Sequence, residues 1–372
     1  MNIYHLFSKE LNSNRVFGLD LLRAIAILLV VSSHGNYFFS KKMMDYYRFI
    51  DFDGVSLFFV LSGFLIGVIL IKQLESQPAS FKLLLNFWVR RWFRTLPTYF
   101  LILLTLTILN KIFNPFFTFS SVQKYYYFFQ NLYFYEIDGF FPESWSLSVE
   151  EWFYLLVPVL IFSLLYLFKT PKRVILFVII FIISLVFFIR YLGHLKIVLF
   201  SPKLVITRLD AIMYGVFGAY VYFYHQKYWK MSPKTLFVLG LFLFAVDRYV
   251  EMSSTVDLFN CYFEWSIAPI GTLLLLPFLS DLKKPNFKIL NWVTIISTIS
   301  YSMYLINMSL VRDFIIVNLP WTGSEIYHDL VKIINYTLYW GITISLSIII
   351  YLFFEHPITN LRDKISLHRF EK

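Results

Sequence analysis

Residues 18–34 read GLDLLRAIAILLVVSSH. The run is apolar and long enough to enter a bilayer, where a helical span takes about 20 residues. Yet it carries Asp20, Arg23 and His34. Arg23 and His34 are separated by ten residues. Eleven helical steps make about three turns, so the two side chains lie on nearly one face, roughly 16 Å apart along the axis. Asp20, three residues before Arg23, falls on the same stripe. Ionisable groups inside a span are costly unless they meet a polar or wet interior. A helix with three of them on one face is expected to line a reaction path or a conduit.

Composition extends this to the whole chain. Of 372 residues, 58% are hydrophobic and 15% are charged, with 43 Phe and 26 Tyr. Soluble domains carry about 25% charged residues. So much apolar surface cannot hide in one globular core, and the expected fold is an all-α, polytopic membrane protein. About ten transmembrane helices are expected around a central polar cavity: Phe17–Phe39, Asp53–Lys72, Thr95–Phe113, Trp145–Phe168, Val174–Leu192, Leu204–Tyr224, Thr235–Val250, Tyr262–Leu279, Val293–Val317 and Ile333–Phe354. With the N-terminus inside, every inside loop is basic, so both termini are expected to be cytoplasmic. That topology accounts for the net charge of +10 without a nucleic-acid partner. The single Cys261 excludes an intramolecular disulfide and a cysteine-based metal site. The connection Asn114–Ser144, with YYYFFQNLYFY at 125–135, is expected on the membrane surface, where aromatic rings favour the interface. The chain reads as a single membrane domain over residues 1–372.

Further polar groups recur at similar depth. The fourth span opens WSLSVEEWFY and places Glu150 and Glu151 just below the outer surface. The sixth opens RLDAIMYG, with Arg208 and Asp210 at that level; the two also read as an ion pair. The ninth, ISYSMYLIN, brings Tyr301, Tyr304 and Asn307. Such groups are expected to line one cavity with His34. One of Glu150 and Glu151 should face it and the other should cap or pair. Just before the third span, WVRRWFRTLPTY supplies Arg90, Arg91 and Arg94 on the cytoplasmic side. Arg91 and Arg94 are three apart and share a helix face. Arginine forks match phosphate oxygens. Gly63 and Gly67, in LSGFLIG, read as small residues for close helix packing.

Taken together, these pieces resemble the acyltransferase-3 family of integral-membrane O-acyltransferases of surface carbohydrates. The matching segments are the Arg–ten–His stretch, GVSLFFVLSGFLIG, RRWFRTLPTY, WSLSVEEWFY, RLDAIMYG, ISYSMYLIN and FEHPI, in that order along nearly the whole chain. The resemblance implies an acyl-CoA donor, acetyl-CoA foremost, on the cytoplasmic side of the inner membrane, and no metal. The implied acceptor is a carbohydrate hydroxyl on a surface polysaccharide, lipopolysaccharide or exopolysaccharide precursor. It carries over Arg23 and His34 as the essential pair, Arg91 and Arg94 as the arginine motif, and Glu150 as the serine–glutamate segment. Two positions depart from the family pattern. Ser56 stands where an acidic residue is frequent, and Asn307 stands where a histidine is frequent. Some members append a soluble domain outside the membrane, which this chain is expected to lack.

The mechanism expected from these residues is acyl transfer at His34, either directly or through an acyl-histidine intermediate. Donor phosphates dock on Arg90, Arg91 and Arg94, and the thioester arm passes Arg23. His34 acts as general base on the acceptor hydroxyl, with Glu150 orienting its imidazole. Asn307 and Tyr304 are the candidate oxyanion donors. The competing expectation is a proton-coupled transporter or flippase of a sugar or lipid-linked glycan, which buried Arg, His and Glu would suit equally.

Overall fold

In a computed structural model, the described residues are 6–11, 15–133, 139–198, 200–253, 263–285, 287–321 and 328–365. Cys261 lies outside them. The described residues form helices and connecting turns: α1 Phe17–Gly35, α2 Lys41–Tyr47, α3 Gly54–Ser76, α4 Phe81–Phe113, α5 Phe119–Tyr126, α6 Ser144–Phe168, α7 Pro171–His194, α8 Val205–Tyr224, α9 Gln226–Met231, α10 Pro233–Ser253 and α11 Trp265–Ser280. After them α12, Asn291–Ile306, runs on as a π-helix over Asn307–Ile316. Likewise α13, His328–Ile350, runs on as a π-helix over Tyr351–Glu355, and α14 is His356–Ile365.

Seven helices, not ten, are long and apolar enough among the described residues to cross a membrane. The other three expected spans also fold as helices. Charged pairs dilute two of them, Arg208 with Asp210 in α8 and Asp247 with Arg248 in α10, and α11 has only 16 residues. The chain is a multi-pass membrane protein.

The third span starts earlier than expected. Helix α4 begins at Phe81, capped by the Ser80 side chain on the Leu83 amide, and its 33 residues carry Arg90, Arg91 and Arg94 within it. Arg91 therefore lies about 15 Å along the helix from Phe81 rather than in a loop. The stretch after α4 has two sides. Phe116, Phe119, Tyr127, Phe129 and Tyr133 are exposed, while other side chains of the stretch are buried against the bundle. Its buried residues include Val122, Tyr125, Asn131 and Phe141. The bundle supplies the hydrogen bonds that such a loop needs when removed from water. The Tyr99 hydroxyl donates to the Tyr125 carbonyl at 2.8 Å, and Ser148 Oγ and Trp152 Nε1 both donate to the Phe128 carbonyl at 2.9 and 2.8 Å.

Buried apolar side chains gather into two clusters. One is built on α3, α6, α7, α8 and α11, the other on α4, α12, α13 and α5. Helix α1 stands between them, giving Leu22 and Ala26 to the first and Ile27, Val30 and Val31 to the second. Val55 and Phe58 pack against both. In the first cluster α3 and α8 touch backbone to backbone. A Cβ at Gly63 would strike the Ile212 carbonyl, and one at Gly215 would strike the Val60 carbonyl. Only glycine permits that approach. The cavities of the protein follow the seam between the two clusters.

Candidate active site

Three cavities lie in series along the seam. The widest, about 520 Å³, is a vestibule between α3 and α4, where Lys72, Lys82, Arg90, Arg91 and Arg94 bring five cations to one void. Arg91, Arg94, Ile66 and Ile69 also line the next cavity, a narrow chamber of about 130 Å³ with Arg23, Glu150, Tyr301 and Tyr304 on its wall. Val55 is common to that chamber and to a third, of about 200 Å³, which holds His34. A side cavity with Asp20, Arg23 and Arg94 opens beside the narrow chamber. The three-residue spacing of Arg91 and Arg94 and the ten-residue gap after Arg23 thus meet around connected space. Arg23 and His34 do not share a chamber.

His34 is held from one side only. Its Nδ1 lies 2.7 Å from Asn307 Oδ1. The Asn307 amide nitrogen donates to the carbonyls of Met303 and Tyr304, at 2.9 and 2.8 Å, so its oxygen must be the atom turned to the ring. The Tyr339 hydroxyl sits 3.1 Å from the same oxygen. An acceptor on Nδ1 fixes the proton there and leaves the Nε2 lone pair free. Arg312 donates to the His34 carbonyl at 3.2 Å, tying the end of α1 to the π-helix.

Several expected roles change with this geometry. Glu150 does not orient His34. It sits in the narrow chamber, 3.4 Å from Arg91 Nη2. Depth counting had separated these two because it began the third span at Thr95. Arg91 also lies over the Tyr154 ring and donates to the Tyr154 hydroxyl and to Ser62 Oγ. Glu151, one residue on and about 100° around the helix, turns away and accepts from Thr95 Oγ1 at 2.8 Å. Asn307 has no N–H left for an oxyanion. The Tyr304 hydroxyl donates to the Glu143 carbonyl at 2.9 Å and meets Ser146 Oγ at 2.6 Å, while Tyr301 donates to the Thr95 carbonyl at 2.7 Å. Asp20 pairs with Arg15 at 2.5 Å and accepts from Ser297 Oγ at 2.8 Å.

Arg208 and Asp210 do not pair with each other, because residues two apart on a helix point to different sides. Asp210 takes Arg190 at 2.8 Å and Ser266 Oγ at 2.9 Å, with both side chains of the ion pair at 0% exposure. Arg208 donates to Ser56 Oγ at 2.7 Å, to Asp53 Oδ2 at 3.2 Å and to the Trp265 carbonyl at 3.0 Å. Neither residue faces one of the three chambers. Where Ser56 stands in place of an acid, Asp53 supplies the carboxylate, accepting from Ser56 Oγ and capping α3.

The reading from sequence missed the opposite wall of the His34 chamber, made of Asp51, Asp53, Asp247, Glu251 and Glu264 with Trp265. These residues come from segments 200 positions apart, and no local pattern joins them. Burial pushes the Asp51 carboxyl up, and burial with the neighbouring Glu251 carboxylate does the same for Glu264. Glu143 was missed too. It accepts from the Ser309 amide at 3.0 Å and from Ser309 Oγ at 2.6 Å, holding the π-helix that begins at Asn307. Burial outweighs those two bonds and pushes its carboxyl up to about 7.

Comparison with known proteins identifies a family. The family profile described as "Acyltransferase domain" matches residues 16–354. A peptidoglycan O-acetyltransferase, OatA of Listeria monocytogenes, is 32% identical over 168 residues, 41% of this chain and 25% of that protein. The O-acetyltransferase OatA of Staphylococcus aureus is 30% identical over 249 residues, 62% of this chain and 39% of that one. The chain thus spans well under half the length of these curated relatives. No solved structure matches it. The matches favour acyl chemistry over carriage of a glycan without chemistry.

Proposed function

The chain belongs to the acyltransferase-3 family, and from that premise we propose that it transfers an acyl group, acetyl from acetyl-CoA, to a hydroxyl of a surface or exported carbohydrate within the cytoplasmic membrane. The observation that carries this reading is the run of chambers, which leads from a vestibule of five cations to an imidazole with one free nitrogen. The vestibule faces the cytoplasm, and both termini lie on that side. Donor phosphates rest on Arg90, Arg91 and Arg94, with Lys72 and Lys82 adding charge. The arm of the donor runs past Arg23 and Glu150 and reaches beyond Val55, a rise of roughly 16 Å along α1. The acceptor enters the His34 chamber from the other side.

The chemistry follows from the fixed tautomer. His34 Nε2 removes the acceptor hydroxyl proton as the oxygen attacks the thioester carbonyl. The new C–O bond forms, the C–S bond breaks, and the proton held on Nε2 passes to the departing thiolate. Asn307 stabilises the transient imidazolium by accepting from Nδ1–H, and Tyr339 and Glu143 hold Asn307 and its helix in place.

The test is label transfer from radiolabelled acetyl-CoA to carbohydrate by purified protein in nanodiscs. Replacing the general base, His34→Ala should cut transfer by about 10²–10⁴-fold and leave thermal unfolding of the protein close to wild type. Transfer at near wild-type rate by that variant refutes the assignment.

A further inference from the structure

The His34 chamber carries more negative charge than its own cations balance. Five carboxylates line it. Arg248 serves Glu251 at 2.7 Å, with the Asp51 carbonyl as its other partner, and Arg208 serves Asp53 at 3.2 Å. Asp51 has the hydroxyls of Tyr47, at 3.3 Å, and Ser33, but no cation in contact with its carboxylate among the described residues. Asp247 and Glu264 have no hydrogen-bond or ion-pair partner among the described residues. Asp247 is 8% exposed, and what remains exposed faces the chamber. An ionised carboxylate taken from water without a partner is strongly unfavourable, so the empty wall favours protonated carboxyls, and a cation that arrives with a ligand can take the place of those protons.

Two kinds of cation come into question, a metal ion and an organic ammonium. A metal needs several ligands converging at bonding distance. Among the described residues no three His, Cys, Asp or Glu side chains come together closely enough to hold one. An ammonium asks less, because its three N–H groups point to separate acceptors. Trp265 on the same wall adds an aromatic ring beside the carboxylates.

We propose that the acceptor taken by the His34 chamber is a sugar bearing a free, protonated amine, held by Asp247 and Glu264. This rests on the reading of the chamber as the acceptor side of an acyltransferase. It also answers a chemical problem that such an acceptor poses. A free amine is a better nucleophile than a hydroxyl. Bound between carboxylates it keeps its proton, has no lone pair to attack with, and leaves the hydroxyl beside His34 as the group acylated.

The experiment uses the full-length protein in nanodiscs with acetyl-CoA and two probes: the tetramer of glucosamine and the tetramer of N-acetylglucosamine, at a pH where glucosamine is protonated. The expected KM for the glucosamine tetramer is lower by about tenfold or more, with the product acetylated on oxygen. In Asp247→Asn that ratio should shrink to about twofold or less, and N-acetylated product should rise. Glu264→Gln, on the less buried part of the wall, should act in the same direction and stands in if Asp247→Asn does not fold. Equal KM values for the two tetramers, or a preference that survives in both variants, overturn the proposal. So does saturable calcium binding that Asp247→Asn removes, which makes the wall a metal site. Failure of the acyltransferase reading looks different: no transfer to either tetramer, while the glucosamine tetramer still raises the unfolding temperature of wild type and not of the variants.

Discussion

Arg190 and Arg208 differ from Arg91 and Arg94 in what surrounds them. The first two are enclosed. Arg190 has Asp210, Ser266 and the Thr207 carbonyl, Arg208 has Ser56, Asp53 and the Trp265 carbonyl, and the two arginines are 0% and 1% exposed. The second two line open space; Arg91 there also holds Glu150, Tyr154 and Ser62, while Arg94 is an exposed side chain on the vestibule wall. A guanidinium ringed by acceptors holds helices together. A guanidinium that faces a void, as that of Arg94 does, keeps donors for something that enters. All four look alike in sequence, as arginines in or beside apolar runs, and only the surroundings separate them.

Three measurements can break or sharpen that contrast. The largest effect is expected at the enclosed pair. Arg190→Leu leaves Asp210 buried without its cation and should cost about 3–5 kcal/mol, read as a large drop in thermal midpoint in detergent. Adding Asp210→Leu should restore much of the loss. A single variant as stable as wild type removes Arg190 from the structural class. Next comes the open pair. Arg91→Ala with Arg94→Ala should raise the KM for acetyl-CoA by about ten- to a hundredfold, with a smaller loss of midpoint than Arg190→Leu. If stability collapses and the donor KM does not move, the two pairs are alike after all.

The smallest effect concerns Glu143, a buried carboxyl with no cation beside it among the described residues. Its pKa rises from 4.5 to about 7 on folding, so the folded state binds its proton more tightly. The stabilisation is complete below pH 4.5 and is lost as pH rises through 7. The thermal midpoint should therefore fall between pH 5 and pH 8, and in Glu143→Gln the fall should be shallower. An unchanged slope removes Glu143 as a contributor.

Much of the site was legible from α1 alone. The ten-residue gap between Arg23 and His34 is a helical fact, and the structure sets both side chains on cavities along one seam. The helix character of the chain followed from composition. What failed depended on where spans begin. The segment FKLLLNFWVRRWFR at 81–94 is too charged to be read as bilayer-spanning, yet it is the first half of α4. With that end misplaced, Arg91 and Glu150 fell on opposite sides of the membrane. The bonds that Tyr99, Ser148 and Trp152 give to the backbone of the aromatic loop after α4 are revealed by no local pattern. The acidic wall and the Arg190–Asp210 pair are long-range products of packing.

The position of Val55 has an electrical consequence. It packs against both halves of the bundle and lines both chambers, so on the proposed route a donor arm passes it on the way to His34. A thioester has to slip by there, while the proton gradient must not short-circuit through the same opening. A branched, uncharged side chain at that point offers an ion nothing in place of its water.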